Sequence, residues 1–251
     1  MRRELELPVV EAPVLLEARR MWSPGRVAGA VVLAGWASLF WFLIFSGRES
    51  LYLGARTRWL IPVGAVVLSV AAAGRIVAAR VSVAEPLSRS QAWRAALLLL
   101  PLVIVVALPP AALGSFALDR RSDLIGGGFA GSADVSRGPI TLIDVASALG
   151  SPAAMRSLVR RAGSRVTFMG FVSRTPGMAA DQFELTRFVI TCCVADALSV
   201  QVHVVDAPPG RFSPNDWVEV TGNLYPLNNE VLVAASSVIP ITRPTHPYLS
   251  P

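Results

Sequence analysis

Three long apolar stretches constrain this chain more than any other feature of its sequence. Residues 27–46 form twenty consecutive uncharged residues, which as a helix rising about 1.5 Å per residue span the roughly 30 Å hydrocarbon core of a bilayer. Residues 59–79 form a second stretch with one charge, Arg75, close to its end. Residues 95–118 form a third, which contains three prolines. The sequence therefore predicts an N-terminal membrane region, residues 1–118, with three transmembrane helices.

The distribution of arginine predicts the orientation of these helices. Eight of the arginines that flank the predicted spans lie on the same side of the membrane as the N-terminus, and six lie on the opposite side. The densest cluster precedes the first span. By the positive-inside rule we expect the N-terminus in the cytoplasm. With an odd number of spans, we expect a multi-pass protein of the cell membrane whose C-terminal part is extracytoplasmic.

Charge also separates the two parts of the chain and excludes several functions. Before residue 118 lie 12 Arg and 6 Glu, and after it lie 11 Arg and 11 acidic residues, so the net charge of +6 belongs to the first part. All 23 basic residues are arginine, which excludes mechanisms that need a lysine amine.

The neutral second part lacks the cluster of cations that binds phosphates, so we expect no nucleic-acid partner and place Phe168, Phe171 and Trp217 in the core. No arrangement of catalytic residues is evident, and we expect no enzymatic activity.

The second part reads as a flexible linker followed by a small β domain. Residues 119–138 are rich in Gly and Ser, which is typical of a flexible tether. Residues 139–251 begin with two short helical patterns, one after Thr141 and one with Ser151 as N-cap. Five segments with strand periodicity follow, at 165–173, 182–191, 198–205, 216–224 and 230–239.

This pattern predicts a membrane α region joined to an all-β domain: three transmembrane helices followed by a small five-stranded OB-like barrel with short helices. In the second strand, Phe183 and Leu185 have one parity while Phe188 and Ile190 have the other. We therefore expect a bulge near Thr186 that keeps both pairs inside the barrel.

Two adjacent cysteines are the candidate site. If Cys192 and Cys193 end a strand, their side chains point to opposite faces, so one is buried and one presented. The pair allows a vicinal disulfide, a redox-active thiol, or a thiolate site for a divalent metal such as zinc completed by Asp196 and by His203 or His246. The plain alternative is a pair of small core residues.

Among these candidates we favour Cys193 and Asp196 as metal ligands, with Cys192 beside them, and we expect Cys193→Ser to be more damaging than Cys192→Ser. His203 alternates with valines and is expected to face solvent. Arg187 and Asp196 are expected to form a surface ion pair.

The segment around the cysteines also carries a family resemblance. TRFVITCCVADALSV at 186–200, with GFVSRTPG before it, DWVEVTGNL after it and a closing HPYL, resembles the bacterial family of two-component membrane permease subunits whose C-terminal region is the domain DUF1980. The resemblance implies an accessory subunit that works in the lipid bilayer with a separate multi-pass permease. We expect its outer domain to handle cargo or gating. The alternative is a stand-alone membrane-anchored protein that binds metal or uses its thiols.

Overall fold

The computed structural model describes residues 21–81, 86–108, 112–119, 138–227 and 230–250. Within these ranges, three helices are long and apolar enough to cross a membrane: α1 (Pro24–Ser46), α2 (Leu60–Val77) and α3 (Arg89–Ala107). Most of the predicted linker, residues 120–137, lies outside the described residues.

The third helix differs most from the predicted span of 95–118. It begins six residues earlier, at Arg89, and ends at Ala107, with Pro101 inside it. A proline disfavours helical geometry in the residue before it, so a stop ahead of Pro109 and Pro110 is expected. A separate short helix, α4 (Ser115–Asp119), occupies the end of the segment assigned to the third span.

The described chain forms two compact units. The first comprises residues up to Ala37 together with Val66–Val103, and the second comprises Ser38–Ala65 and Ile104–Pro251. In the first unit α1 meets α3 closely: the Trp36 indole Nε1 donates to the Leu98 carbonyl at 3.1 Å, and a Cβ on Gly35 would lie 3.1 Å from Leu99. Two-residue strands, β1 (Met21–Trp22) and β2 (Arg80–Val81), pair in the same unit.

The second unit contains a closed five-stranded barrel, which confirms the predicted OB-like fold. Its strands are β3 (Arg165–Ser173), β4 (Phe183–Val189), β5 (Leu198–Val205), β6 (Trp217–Leu227) and β7 (Glu230–Pro240). They follow the order β3-β4-β5-β7-β6 and close through antiparallel pairing of β6 with β3. The pairing of β5 with β7 is parallel and the other neighbours are antiparallel.

Two short helices precede the barrel, as the sequence predicts. In α5 (Leu142–Gly150), Thr141 and Asp144 form a reciprocal capping box. Ser151 is the N-cap of α6 (Pro152–Val159), although its side chain makes no capping hydrogen bond. Their apolar faces pack on the barrel core, where Val145 and Leu158 are fully buried.

Strand β4 shows why the expected bulge near Thr186 is wrong. Its register with β5 is continuous from Phe183 to Val189, and the irregularity in the described barrel lies instead between Thr221 and Gly222 of β6. Both faces of β4 are buried because a second apolar cluster covers the outer face of the barrel. The inner core contains Phe168, Phe183, Leu185 and Val189. The outer cluster contains Leu118, Phe171, Phe188, Ile190, Ala197 and Tyr248, with Leu113, Ala117, Val194 and Trp217 packed against it.

Candidate functional site

The cysteines lie in the connection between β4 and β5, residues 190–197, which we call the cysteine turn. Strand pairing stops at Val189, and a single 3₁₀ turn, Val194–Asp196, precedes β5. Ile190 and Ala197 anchor the two ends of the turn in the outer cluster. Between these anchors the backbone no longer follows strand parity, and Cys192 is exposed while Cys193 is half-buried.

Asp196 organises this turn through its carboxylate. One oxygen accepts from the backbone N–H of Cys192 at 2.7 Å and the other from that of Thr191 at 3.2 Å. Burial alone raises the pKa of the carboxyl, but the backbone and thiol hydrogen bonds outweigh burial and hold the pKa of Asp196 below its usual range. Asp196 is thus ionised at neutral pH and acts as the cap of the turn.

The two thiols are free and differ in exposure. Their sulfur atoms lie 3.7 Å apart, with the Cys192 thiol directed at Cys193. Hydrogen bonding to the Asp196 carboxylate, followed by that to Cys193, raises the pKa of Cys192 to about 11. Cys192 is therefore a protonated thiol at neutral pH. Because the thiolate is the reactive form, this arrangement does not favour Cys192 as a nucleophile.

The structure brings together Cys192, Cys193 and Asp196, but not the predicted histidines. His203 lies near the far end of the β4–β5 pair, half-buried, with Nδ1 2.7 Å from Oε1 of Glu184. His246 is exposed in the C-terminal segment. Across the described ranges no group of three His, Cys, Asp or Glu residues is arranged to hold a metal ion. Metal binding at the three residues of the turn stays a prediction, and it would compete with the capping role of Asp196.

Arg187 does not form the expected surface ion pair with Asp196. It is 9% exposed, and its guanidinium donates to backbone carbonyls: Nε to Pro247 at 3.1 Å, Nη2 to His246 at 2.9 Å and Nη1 to Met169 at 3.4 Å. Burial lowers the pKa of Arg187 from its ordinary value. The prediction failed because backbone carbonyls of a distant segment, rather than a nearby carboxylate, satisfy this cation.

The C-terminal segment brings together two motifs that are far apart in sequence, the closing HPYL and the stretch around the cysteines. Leu249 donates its N–H to the Phe188 carbonyl at 2.8 Å and accepts from the Ile190 N–H at 2.9 Å, so it extends the sheet beside Val189. The Tyr248 ring enters the outer cluster, and its hydroxyl accepts from the Leu113 N–H at 3.0 Å. The closing HPYL segment therefore supports the strand that leads into the cysteine turn.

A loop that the sequence did not single out completes the site. Residues 52–57 lie between α1 and α2 and contact the cysteine turn within the second unit; we call them the docking loop. Leu53 pairs with Cys193 in an antiparallel bridge. Gly54 donates its N–H to the Cys192 carbonyl at 3.0 Å, and Val194 donates to the Tyr52 carbonyl at 2.9 Å.

Side-chain contacts and close packing reinforce this docking. The Thr57 hydroxyl donates to the Cys192 carbonyl, and the Ala55 N–H donates to the Ser250 hydroxyl at 3.2 Å. Gly54 is buried, and a Cβ on it would lie 2.8 Å from the Thr191 carbonyl oxygen. A glycine in an otherwise bulky inter-helix loop was the one sequence signal of this close approach.

Comparison with known families agrees with the geometry. Residues 155–251 match the family model described as the DUF1980 C-terminal domain. The match covers every barrel strand, the cysteine turn and the C-terminal segment, whereas the docking loop lies outside it. No curated protein matches the chain. The expected resemblance is thereby confirmed for this part of the chain, since residues 155–251 are similar to DUF1980 C-terminal domains.

Proposed function

We propose that this protein is a non-enzymatic accessory subunit of a multi-pass membrane permease, with its barrel coupled to the membrane helices through the cysteine turn. The observation that carries the proposal is the docking of the α1–α2 loop on that turn. A change of state at the cysteines, such as oxidation or binding of cargo, would shift the position of the Cys192 carbonyl and of the backbone bridge at Cys193. Both groups bind the loop that connects two membrane helices.

The same contact supports the proposed membrane topology. A loop between two spans reaches the barrel only if both lie on one side of the bilayer. The chain would then cross three times, with the N-terminus opposite the barrel. Together with the N-terminal arginine cluster, this favours a cytoplasmic N-terminus and an extracytoplasmic barrel in the cell membrane.

The helices themselves leave room for a membrane partner. None of the residues of α3 is buried, and Leu98, Leu100 and Val103 are each more than half exposed. In water such a face is unfavourable, whereas in a bilayer it accepts lipid or the helices of another protein. We assign α3 to the contact with the permease, because α1 and α2 adjoin the docking loop at their ends.

Affinity purification of the tagged full chain from its native membrane, in a mild detergent, tests the proposal. We expect a multi-pass membrane protein to be enriched in stoichiometric amount. Leu100→Arg and Val103→Arg on α3 should each remove it, while Arg156→Gln on the exposed surface of α6 should retain it.

The outcome that contradicts the proposal is equally specific. If no multi-pass protein is enriched, while the purified full chain binds a divalent metal or cycles its thiols, the stand-alone thiol or metal-binding protein is the better account.

A further inference from the structure

A cavity lies in the second unit, and none of the residues that line it belongs to the cysteine turn. Its volume is about 520 Å³, within the range of small-molecule sites. One wall is the segment that follows α1, Ser46–Leu51, and the other is the C-terminal segment Arg243–His246. The Ser50 hydroxyl joins the walls by donating to the Thr245 carbonyl at 2.9 Å.

The charges of the cavity are unpaired. Arg48 and Arg243 line it, and neither has a carboxylate within ion-pair distance among the described residues. The carbon of the Arg48 guanidinium lies 5.3 Å from the centre of the Phe42 ring, which is a cation–π contact and not an ion pair. Two guanidinium groups that face one polar space favour a phosphate, to which arginine donates paired hydrogen bonds.

Glu49 adds a second requirement for the ligand. It also lines the cavity, and its Oε2 atom is buried without a hydrogen-bond partner among the described residues. A buried carboxylate oxygen is unfavourable unless a donor or a cation meets it. A ligand that fits these residues therefore carries a phosphate and, beside it, a positively charged hydrogen-bond donor.

The place of the cavity in the fold indicates the source of such a ligand. Ser46 is the last residue of α1, whose 23 residues extend about 34 Å, slightly more than the hydrocarbon core. The segment that follows α1 is thus at the depth of the lipid headgroups. The assignment of the ligand to the lipid headgroups rests on the membrane placement in the proposed function, whereas the chemistry of the ligand does not.

We propose that this cavity binds the phosphoethanolamine headgroup of a phospholipid, with Arg48 and Arg243 on the phosphate and Glu49 on the ammonium group. His246 lines the same space. The bound headgroup would hold the C-terminal segment beside the end of α1.

Native mass spectrometry of the detergent-solubilised full chain, titrated with defined lipids, tests this proposal. We expect phosphatidylethanolamine to bind at least about tenfold more tightly than phosphatidylcholine, because the trimethylated ammonium has no N–H to donate to Glu49. Arg243→Gln should weaken phosphatidylethanolamine binding about tenfold or more, and Arg156→Gln, a matched exposed arginine, should leave it unchanged. Glu49→Leu, which has no acceptor, should remove the discrimination between the two lipids while retaining both.

Two further outcomes decide the proposal. Equal affinity of the unmodified chain for both lipids, or an unchanged affinity in Arg243→Gln, would overturn the site. Calorimetry with free phosphoethanolamine separates the sources: much weaker binding than the lipid supports a membrane ligand, and binding as tight as the lipid overturns that assignment in favour of a soluble one. None of these results depends on capture of a permease, so the two proposals fail separately.

Discussion

Replacing Gly54 by alanine should release the docking loop from the cysteine turn. The added Cβ would lie 2.8 Å from the Thr191 carbonyl oxygen and 3.3 Å from that of Ile190, and both obstacles are backbone atoms. The loop must retreat by about 0.6 Å to reach ordinary van der Waals contact. This movement stretches the hydrogen bonds that Gly54 and Val194 donate across the contact.

The expected cost follows from these contacts. Two weakened hydrogen bonds, at about 0.5–1.5 kcal/mol each, add to an overpacking cost of about 1–3 kcal/mol. Alanine also restricts the undocked chain, which returns about 0.4–1 kcal/mol. A net loss toward the lower end of these ranges, about 2 kcal/mol in the free energy of docking, already raises the undocked population roughly 30-fold.

Hydrogen–deuterium exchange of the full chain measures this population directly. The amides of positions 54 and 194 donate the hydrogen bonds in question, so each should exchange about 30-fold faster in Gly54→Ala. Gly74→Ala is the matched control, because a Cβ at Gly74 in α2 meets no atom of the described residues within 4 Å. Unchanged exchange at both amides in Gly54→Ala would refute the docking argument.

Three other variants test the residues around the turn. Arg187→Met should lower the stability of the barrel by at least about 2 kcal/mol, because three carbonyls lose their donor, and thermal unfolding against Arg156→Gln checks this. Cys193→Ser should reduce partner capture more than Cys192→Ser, because the Cys193 side chain is half-buried whereas that of Cys192 is exposed; equal losses would instead indicate a shared disulfide or metal. Alkylation of Cys192 should stay slow at pH 8 and rise with a midpoint near 11, because the thiol remains protonated below that pKa. Asp196→Asn removes the neighbouring negative charge, so it should move that midpoint to lower pH, and an unmoved midpoint would contradict the assigned cause.

Periodicity predicted the barrel well because each strand carries its own signal. The segments at 165–173 and 198–205 coincide with β3 and β5, and the Thr141 cap marks the start of α5. In β4, alternation correctly separated Phe183 from Phe188 by parity. The interpretation was wrong because parity alone does not reveal a second apolar layer, which distant segments such as Tyr248 build over the barrel.

The site was harder to predict than the fold because its contacts are distant in sequence. Cys193 meets Leu53 about 140 residues earlier in the chain, and no periodicity encodes such a contact. Arg187 looked like a surface cation because a carboxylate follows nine residues later, yet its donors go to carbonyls near the C-terminus. The cysteines and Asp196 were identifiable because they are neighbours in sequence.

A designed disulfide tests whether the loop between α1 and α2 docks on the cysteine turn. Leu53→Cys combined with Cys192→Ser leaves one new thiol opposite Cys193, at the spacing of an antiparallel pair, where Cα atoms lie about 4.5–5.5 Å apart and a disulfide fits. With a protease site inserted within residues 120–137, oxidation in native membranes should keep the two fragments joined until a reductant is added. A matched Trp59→Cys variant should separate without reduction. Separation of the fragments in the Leu53→Cys variant under oxidising conditions would contradict the account.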